Sequence, residues 1–518
     1  MRSLLEFALF VCFCLVQVCH GSELITQSGF VINKESGVRV HLKCVNWYGA
    51  HSNLFVVHGL ETRSLKHLVN KLVESRANCV RIPVSNDFSN LNPSVSRDAI
   101  AAMSDDECPN ATRALDVMDC VVNEIQKRKI YVIFNNHCSW PAWVGGPAFS
   151  QQGLWHFPSS FKDGNYTFEK WVQSMEILVL RYNMTGIDIR NEIHDQDNVR
   201  ITWGESENFR TDWLAASSIA AKRLHQIDNT LLIFVGGLCY NFDLRAMMKK
   251  VGPTSVFDKH KLIYTTHVYS WSFWWNQDTL KLLNATALLL SFAAFLCGLT
   301  LYYNYFNYLQ YRVLRAFEAK DCNLKSIHPL EIMSSSCSFH LAWLLTSVVF
   351  YFTSLANGCS TIADDALWLV MISMILLSTT VTMALCHRRC TAFLWHTFWG
   401  LCLMWLGLFF LIFFFVTLYL LSPQSYDDFF KLWALDNRPV PVWVGEFGDS
   451  VAQTNRNHAW NKLWTFISMK YDLDFAYWCF NGRKWINGRW EDEGFGLLAG
   501  DYSTWRNLAF NVQIFSNK

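Results

Sequence analysis

Two segments decide the fold: GIDIRNEIHD, residues 186–195, and PVWVGEFGDS, residues 441–450. Each runs from a short, β-rich apolar stretch into a glutamate, Glu192 in the first and Glu446 in the second. Short β-rich runs of this kind read as strands. Further runs of the same kind are centred near Val45, Arg81, Ile133, Phe234, Tyr264 and Tyr477, and the two quoted segments add centres at Ile189 and Val444. Helical sequence follows each, at intervals of roughly 30–55 residues apart from one long gap. Strand and helix signals in alternation predict an α/β protein with a parallel sheet, and eight units predict a closed (β/α)8 TIM barrel. A doubly wound sheet is the alternative, but no Gly-rich phosphate loop accompanies these runs.

The gap falls between the sixth and seventh strands. Four stretches within it, Leu283–Tyr303, Ser338–Ala356, Ala366–Cys386 and Ala392–Leu421, are each long and apolar enough to span a bilayer. One alone could be a buried soluble helix, but four in succession predict an all-α, four-helix transmembrane domain. The loops joining the first to second and third to fourth spans carry Arg312, Arg315, Lys320, Lys325, Arg388 and Arg389, whereas the intervening NGCSTIADD has no Lys or Arg. By the positive-inside rule those basic loops face the cytoplasm and the barrel faces the lumen or the exterior. An even number of crossings also returns the chain to the side on which the barrel began.

The division expected is therefore residues 1–22 as a secretory signal, 23–280 as strands one to six, 281–422 as the membrane insertion, and 423–518 as the last two strands. The leader has a basic start, an apolar run too short for a comfortable span, and small residues near Gly21. N-x-S/T acceptors at Asn110, Asn165, Asn183 and Asn284 agree with a multi-pass protein of the secretory pathway or cell surface. The formal net charge of +1 gives no basic footprint, so nucleic acid is excluded as a partner, while the insertion implies a lipid bilayer. Outside leader and insertion lie Cys44, Cys79, Cys108, Cys120, Cys138, Cys239 and Cys479, of which Cys108 and Cys120 are plausible partners by proximity. No C-x-x-C pair suggests a metal, and no cofactor is implied.

Polar residues gather where the predicted strands end. Arg81 lies in NCVRIPVS, His137 ends YVIFNNHCSW, and Asn191 precedes Glu192. His267 and Tyr269 close LIYTTHVYS, Glu446 closes the seventh strand, and Trp478 lies in FAYWCFNG. A lone strand-end Glu is more often a solvated residue, and a lone His a satisfied structural one. Their recurrence at one end of successive strands points instead to a site on the C-terminal face of the barrel.

In this order the residues resemble glycoside hydrolase family 5, the cellulase-like retaining glycosidases. The lead SGFVINKESGVRVHLKCVNWYG and the tail EDEGFGLLAGDYSTW are also similar to that family, and NHCSWPAWVGG to its plant-type branch. The resemblance implies Glu192 as general acid/base and Glu446 as nucleophile. It implies that Arg81 and Tyr269 hydrogen-bond Glu446, and that an adjacent cation holds that carboxylate ionised. Asn191 would grip a sugar 2-hydroxyl, His137 and His267 would orient sugar and carboxylates, and Trp478 would form the floor. The sequence departs from the family pattern at Ile193, where Pro is usual, and at Asn135-Asn136, where Asp-Asn is commoner; neither removes a catalytic atom.

The insertion follows the sixth strand almost at once, so it reads as a βα-loop insertion on the catalytic face. Trp271, Phe273, Trp274 and Trp275 would line the site or sit among headgroups. The substrate expected is a β-glucan-like or membrane-proximal glycan, possible alternatives being a glycosylceramide-type glycolipid or, with no catalysis, a carbohydrate-binding receptor.

Overall fold

The computed structural model describes residues 23–143, 151–249, 260–269, 440–450 and 471–516, together with Trp464, Ile467 and Ser468. The chain divides into two units, Met1–Ser272 with Phe429–Lys518, and Phe273–Asp428. The leader at 1–22, the four apolar stretches, Asn284 and the aromatic group Trp271–Trp275 all lie outside the described residues. Among those described, no helix is long and apolar enough to cross a membrane.

The first unit opens with a hairpin, β1 (Leu24–Gln27) and β2 (Phe30–Asn33). The strands β3 (Lys43–Asn46), β4 (Cys79–Ser85), β5 (Tyr131–Cys138), β6 (Gly186–Asp188), β7 (Leu232–Gly236), β8 (Leu262–His267), β9 (Val442–Phe447) and β10 (Asp474–Tyr477) close a barrel in which β10 pairs with β3. Every neighbouring pair in it is parallel. Seven of the expected strand centres lie within these strands, and Ile189 falls one residue beyond β6.

The long gap does not disturb the closure. β8 and β9 pair directly, with Tyr264 opposite Val442 and Thr266 opposite Val444, although residues 268–441 separate them in sequence. Loop-closure cost rises only logarithmically with length, so two strands with buried apolar faces can pair across such a distance.

Helices on the outside cover the strands through one apolar face each. In α1 (Leu65–Glu74), Leu65, Leu68, Val69 and Leu72 are buried at helical spacing, and the Ser64 side chain accepts from the His67 N–H to cap the first turn. Phe168–Arg181 and Trp213–Ile227 are built alike, with Thr167 and Asp212 as caps. The hairpin contributes Leu24 and Val31 to a core layer with Leu42, Cys44, Cys79, Ile133, Leu232, Phe234, Ile263, Trp443 and Ala476. This layer plugs the barrel below the strand ends, so the floor is packed rather than open. Cys44 and Cys79 form a disulfide between β3 and β4, a pairing not evident in the sequence. Cys108 pairs with Cys120, as proximity suggested, while Cys138 and Cys479 are buried thiols.

Candidate active site

Because the barrel strands are parallel, their C-terminal ends share one rim. Arg81 lies on β4, His137 on β5, His267 at the end of β8 and Glu446 on β9. Asn191 and Glu192 follow β6, Tyr269 follows β8, and Trp478 follows β10. All eight predicted site residues therefore occupy this rim.

Arg81 is the centre of it. The guanidinium is fully buried and donates to Glu446 Oε1 at 2.6 Å, Asn46 Oδ1 at 2.8 Å, Asn191 Oδ1 at 2.8 Å and Asp188 Oδ2 at 2.8 Å. A planar fork with five donors is needed to hold so many acceptors in fixed directions. Tyr269 donates to the other oxygen of Glu446 at 2.9 Å. The adjacent Gly445 is required because a Cβ there would lie 2.4 Å from Thr265 Oγ1 and 3.2 Å from His267 Nε2. Glycine thus lets β9 run close enough to β8 for His267 to reach both glutamates.

Glu192 sits opposite. Its backbone has φ of 44°, a left-handed conformation that a glutamate adopts only when its surroundings impose it. His267 Nδ1 hydrogen-bonds Glu192 Oε1 at 2.8 Å and lies 3.7 Å from Glu446 Oε2. One ligand-type atom from each of Glu192, His267 and Glu446 falls within a mutual 4.8 Å. That spacing could hold a cation, but Arg81 and Tyr269 already engage Glu446, and His267 engages Glu192. Each of these contacts is a protein donor on a carboxylate oxygen, an arrangement suited to a pair of reacting acids.

Electrostatics separates the two acids. Burial and the nearby Glu446 charge push Glu192 well above the usual carboxylate range, with Arg81 opposing. Burial also raises Glu446, against the pull of Arg81 and the Tyr269 hydrogen bond. Arg81 and Tyr269 thus act in the expected direction, favouring the Glu446 anion, while desolvation opposes them. The order survives, since Glu446 has two donors stabilising its anion and Glu192 faces a like charge. Burial holds His137 and His267 well below the ordinary histidine value, so both imidazoles are neutral near pH 7.

Two consequences can be measured. Arg81→Met would leave Asp188 and Glu446 buried without their cation, a loss of about 3–5 kcal/mol. Chemical denaturation should show it, and a change below about 1 kcal/mol would contradict the hub assignment. Glu192→Gln should act oppositely. A carboxyl whose folded pKa is raised weakens folding as pH climbs above its unfolded value, so the variant should gain Tm over wild type at pH 7 and lose that gain near pH 4. A gain equal at both pH values would argue against the raised carboxyl.

The aromatic wall is coherent too. Trp478 lies nearly parallel to Tyr48, with ring centroids 5.0 Å apart, and to His137 at 5.9 Å. Tyr48 donates to Glu493 at 2.6 Å, which ties the β3 rim to the residue after a second hairpin, β11 (Arg483–Ile486) and β12 (Arg489–Asp492). His137 is held by Asn135 at 2.7 Å.

Asn46 and Asp188 were not singled out from the sequence. A signal existed for Asp188: an acidic residue inside the otherwise apolar GIDI must face a buried cation to be tolerated. Asn46 carries no comparable mark, because its partner Arg81 is distant in sequence.

A family model described as Cellulase (glycosyl hydrolase family 5) matches residues 36–290, which ends before β9. An endoglucanase of Paenibacillus polymyxa is 24% identical over 216 residues, covering 42% of this chain and 50% of that protein. A glycosyl hydrolase 5 family protein of Chamaecyparis obtusa is 24% identical over 284 residues, covering 49% of this chain and 46% of its own length. The chain thus spans about half the length of these curated relatives. Among solved structures, an endocellulase of Pyrococcus horikoshii in complex with cellotetraose superposes with a TM-score of 0.55 at 16% identity, covering 96% of this chain and 99% of that one. At that identity the likeness speaks for the fold.

Proposed function

We propose that this chain is a member of glycoside hydrolase family 5, whose model matches residues 36–290, and that it hydrolyses β-linked glycans with retention of anomeric configuration. The observation that carries the reading is the approach of Glu192 and Glu446, with oxygens within 4.8 Å. Retaining enzymes keep their carboxyl groups about 5–5.5 Å apart, whereas inverting ones leave roughly 6.5–9.5 Å for a water.

In the first step Glu446, held by Arg81 and Tyr269, attacks the anomeric carbon. Glu192, kept protonated by burial, gives its proton to the departing oxygen. In the second step Glu192 takes a proton from water, which attacks the same carbon and frees Glu446. Asn191 Nδ2 is buried without a protein partner and is available to a sugar 2-hydroxyl. A donor left idle in the free protein and engaged by substrate suits a contact that strengthens toward the transition state.

The substrate class proposed is a β-glucan, supported by the endoglucanases among the relatives. We further infer from residues 281–422 a membrane anchor inserted between β8 and β9; the direct pairing of these strands is compatible with a large insertion there. An anchored site could instead take a glycosylceramide-type substrate. Hydrolysis of soluble β-glucans and of glycosylceramides in mixed micelles by the full chain separates the two. Glucan cleavage is expected; turnover confined to the lipid-linked sugar would overturn the glucan assignment. A silent sugar receptor is disfavoured because both carboxylates are present and hydrogen-bonded for reaction.

A further inference from the structure

Directly after β7, Cys239, Tyr240 and Asn241 have φ of 51°, 60° and 59°. Three successive non-glycine residues in the left-handed region cost free energy at each position, and such strain is retained where the surroundings demand it. The kink turns Asn241 fully inward. Its Nδ2 lies 3.4 Å from His267 Nε2, and its carboxamide occupies the space beside Gly236, where a Cβ would come within 2.3 Å of Oδ1. Tyr240 stacks on His194 at 4.1 Å, and His194 Nδ1 hydrogen-bonds the Glu192 carbonyl at 2.8 Å. Asn241 and Tyr240 therefore both lead to Glu192, one through His267 to its carboxyl group and the other through His194 to its backbone.

We propose that Asn241 is a positioning residue whose carboxamide fixes the His267 imidazole with its Nδ1 hydrogen aimed at Glu192. The inference rests on the hydrolase reading above. With Nδ2 as the carboxamide atom facing the ring, His267 Nε2 accepts and the single ring proton of a neutral imidazole sits on Nδ1. That proton lies 2.8 Å from Glu192 Oε1. Among the described residues, the charged or titratable groups around this imidazole and Glu192 are Glu446 on β9, Arg81 on β4, His137 on β5, Tyr240 in the kink and Tyr269 beyond β8. A donor to the carboxylate favours its ionised form. Glu192 needs that form in the second half of the reaction, when it must accept a proton from water. Burial opposes that form, while Arg81 and the His267 donor favour it.

Asn241→Gly removes the carboxamide and relieves the left-handed backbone, so folding should survive. Gly236→Ala displaces the same carboxamide from the other side. With an aryl β-glycoside bearing a good leaving group, the second step limits kcat. Asn241→Gly in the full chain should lower kcat about 10-fold, with kcat/KM within about 2-fold and KM falling in step. The basic limb of kcat/KM should move to higher pH, because Glu192 loses a donor to its anion. Azide, a nucleophile that needs no base, should restore kcat. A parallel fall of kcat and kcat/KM, with the limb unmoved and no azide response, would overturn the proposal, as would wild-type kinetics. If Gly236→Ala folds, it should repeat the Asn241→Gly kinetics, and wild-type behaviour there would likewise count against the proposal. A wild-type protein inactive on every β-glycoside would instead count against the hydrolase reading.

Discussion

Glu446→Gln is expected to lower kcat on a β-glycoside by roughly 10⁴–10⁶-fold, the scale seen when a covalent nucleophile is removed. Gln has the same shape, so its oxygen can still accept from Arg81, which donates to Glu446 at 2.6 Å in the native chain. The loss should therefore be chemical rather than conformational, with little change in the unfolding midpoint. A 2-deoxy-2-fluoro glycoside with a good leaving group should label wild type stoichiometrically, and peptide mapping should place the sugar on the peptide containing Glu446. The variant should take up no label. Activity within 10-fold of wild type in Glu446→Gln, or label on another residue, would remove Glu446 from the role.

Glu192→Ala should cost about 10²–10⁴-fold on a glucan, whose poor leaving group needs a proton. An aryl glycoside whose leaving group departs unaided should keep most of its kcat/KM, while its kcat falls because water is no longer activated. Azide should recover that turnover. The pH profile carries a second signature. Wild-type kcat/KM should fall as pH drops through the Glu446 pKa and as pH rises through that of Glu192. Burial and the Glu446 charge raise the latter, which extends the active range above the ordinary carboxylate region. The basic limb should vanish in the variant. A limb that persists unchanged would mean that another group supplies the proton.

Much of this arrangement was legible in the sequence, for a physical reason. In a parallel barrel every strand is buried on both faces, so apolar runs stand out, and the first polar residue past each run marks the rim. Glu446, at the end of the apolar VWVG, shows this most plainly. The centre expected at Ile189 falls one residue beyond β6, Gly186–Asp188, although the Ile189 N–H still donates to the Phe234 carbonyl of β7 at 3.1 Å. What the sequence could not supply were contacts between residues far apart. Asn46 and Asp188 hold Arg81 across 35 and 107 residues, and Asn241 meets His267 only because a left-handed kink turns it inward. Net charge balance was equally hidden. Sequence order predicts that a cation lies near Glu446, but whether it prevails depends on how completely the carboxyl is desolvated.

Retention requires two carboxylates acting in turn on one anomeric carbon. Proton NMR of a β-linked glucan oligosaccharide, mixed with the full chain and followed from the first seconds, reads the anomeric configuration of the sugar as it is released. Double displacement through Glu446 predicts that the β-anomer appears first and then mutarotates toward equilibrium. Initial appearance of the α-anomer would require a single displacement by water, and would contradict the assignment of Glu446 as nucleophile.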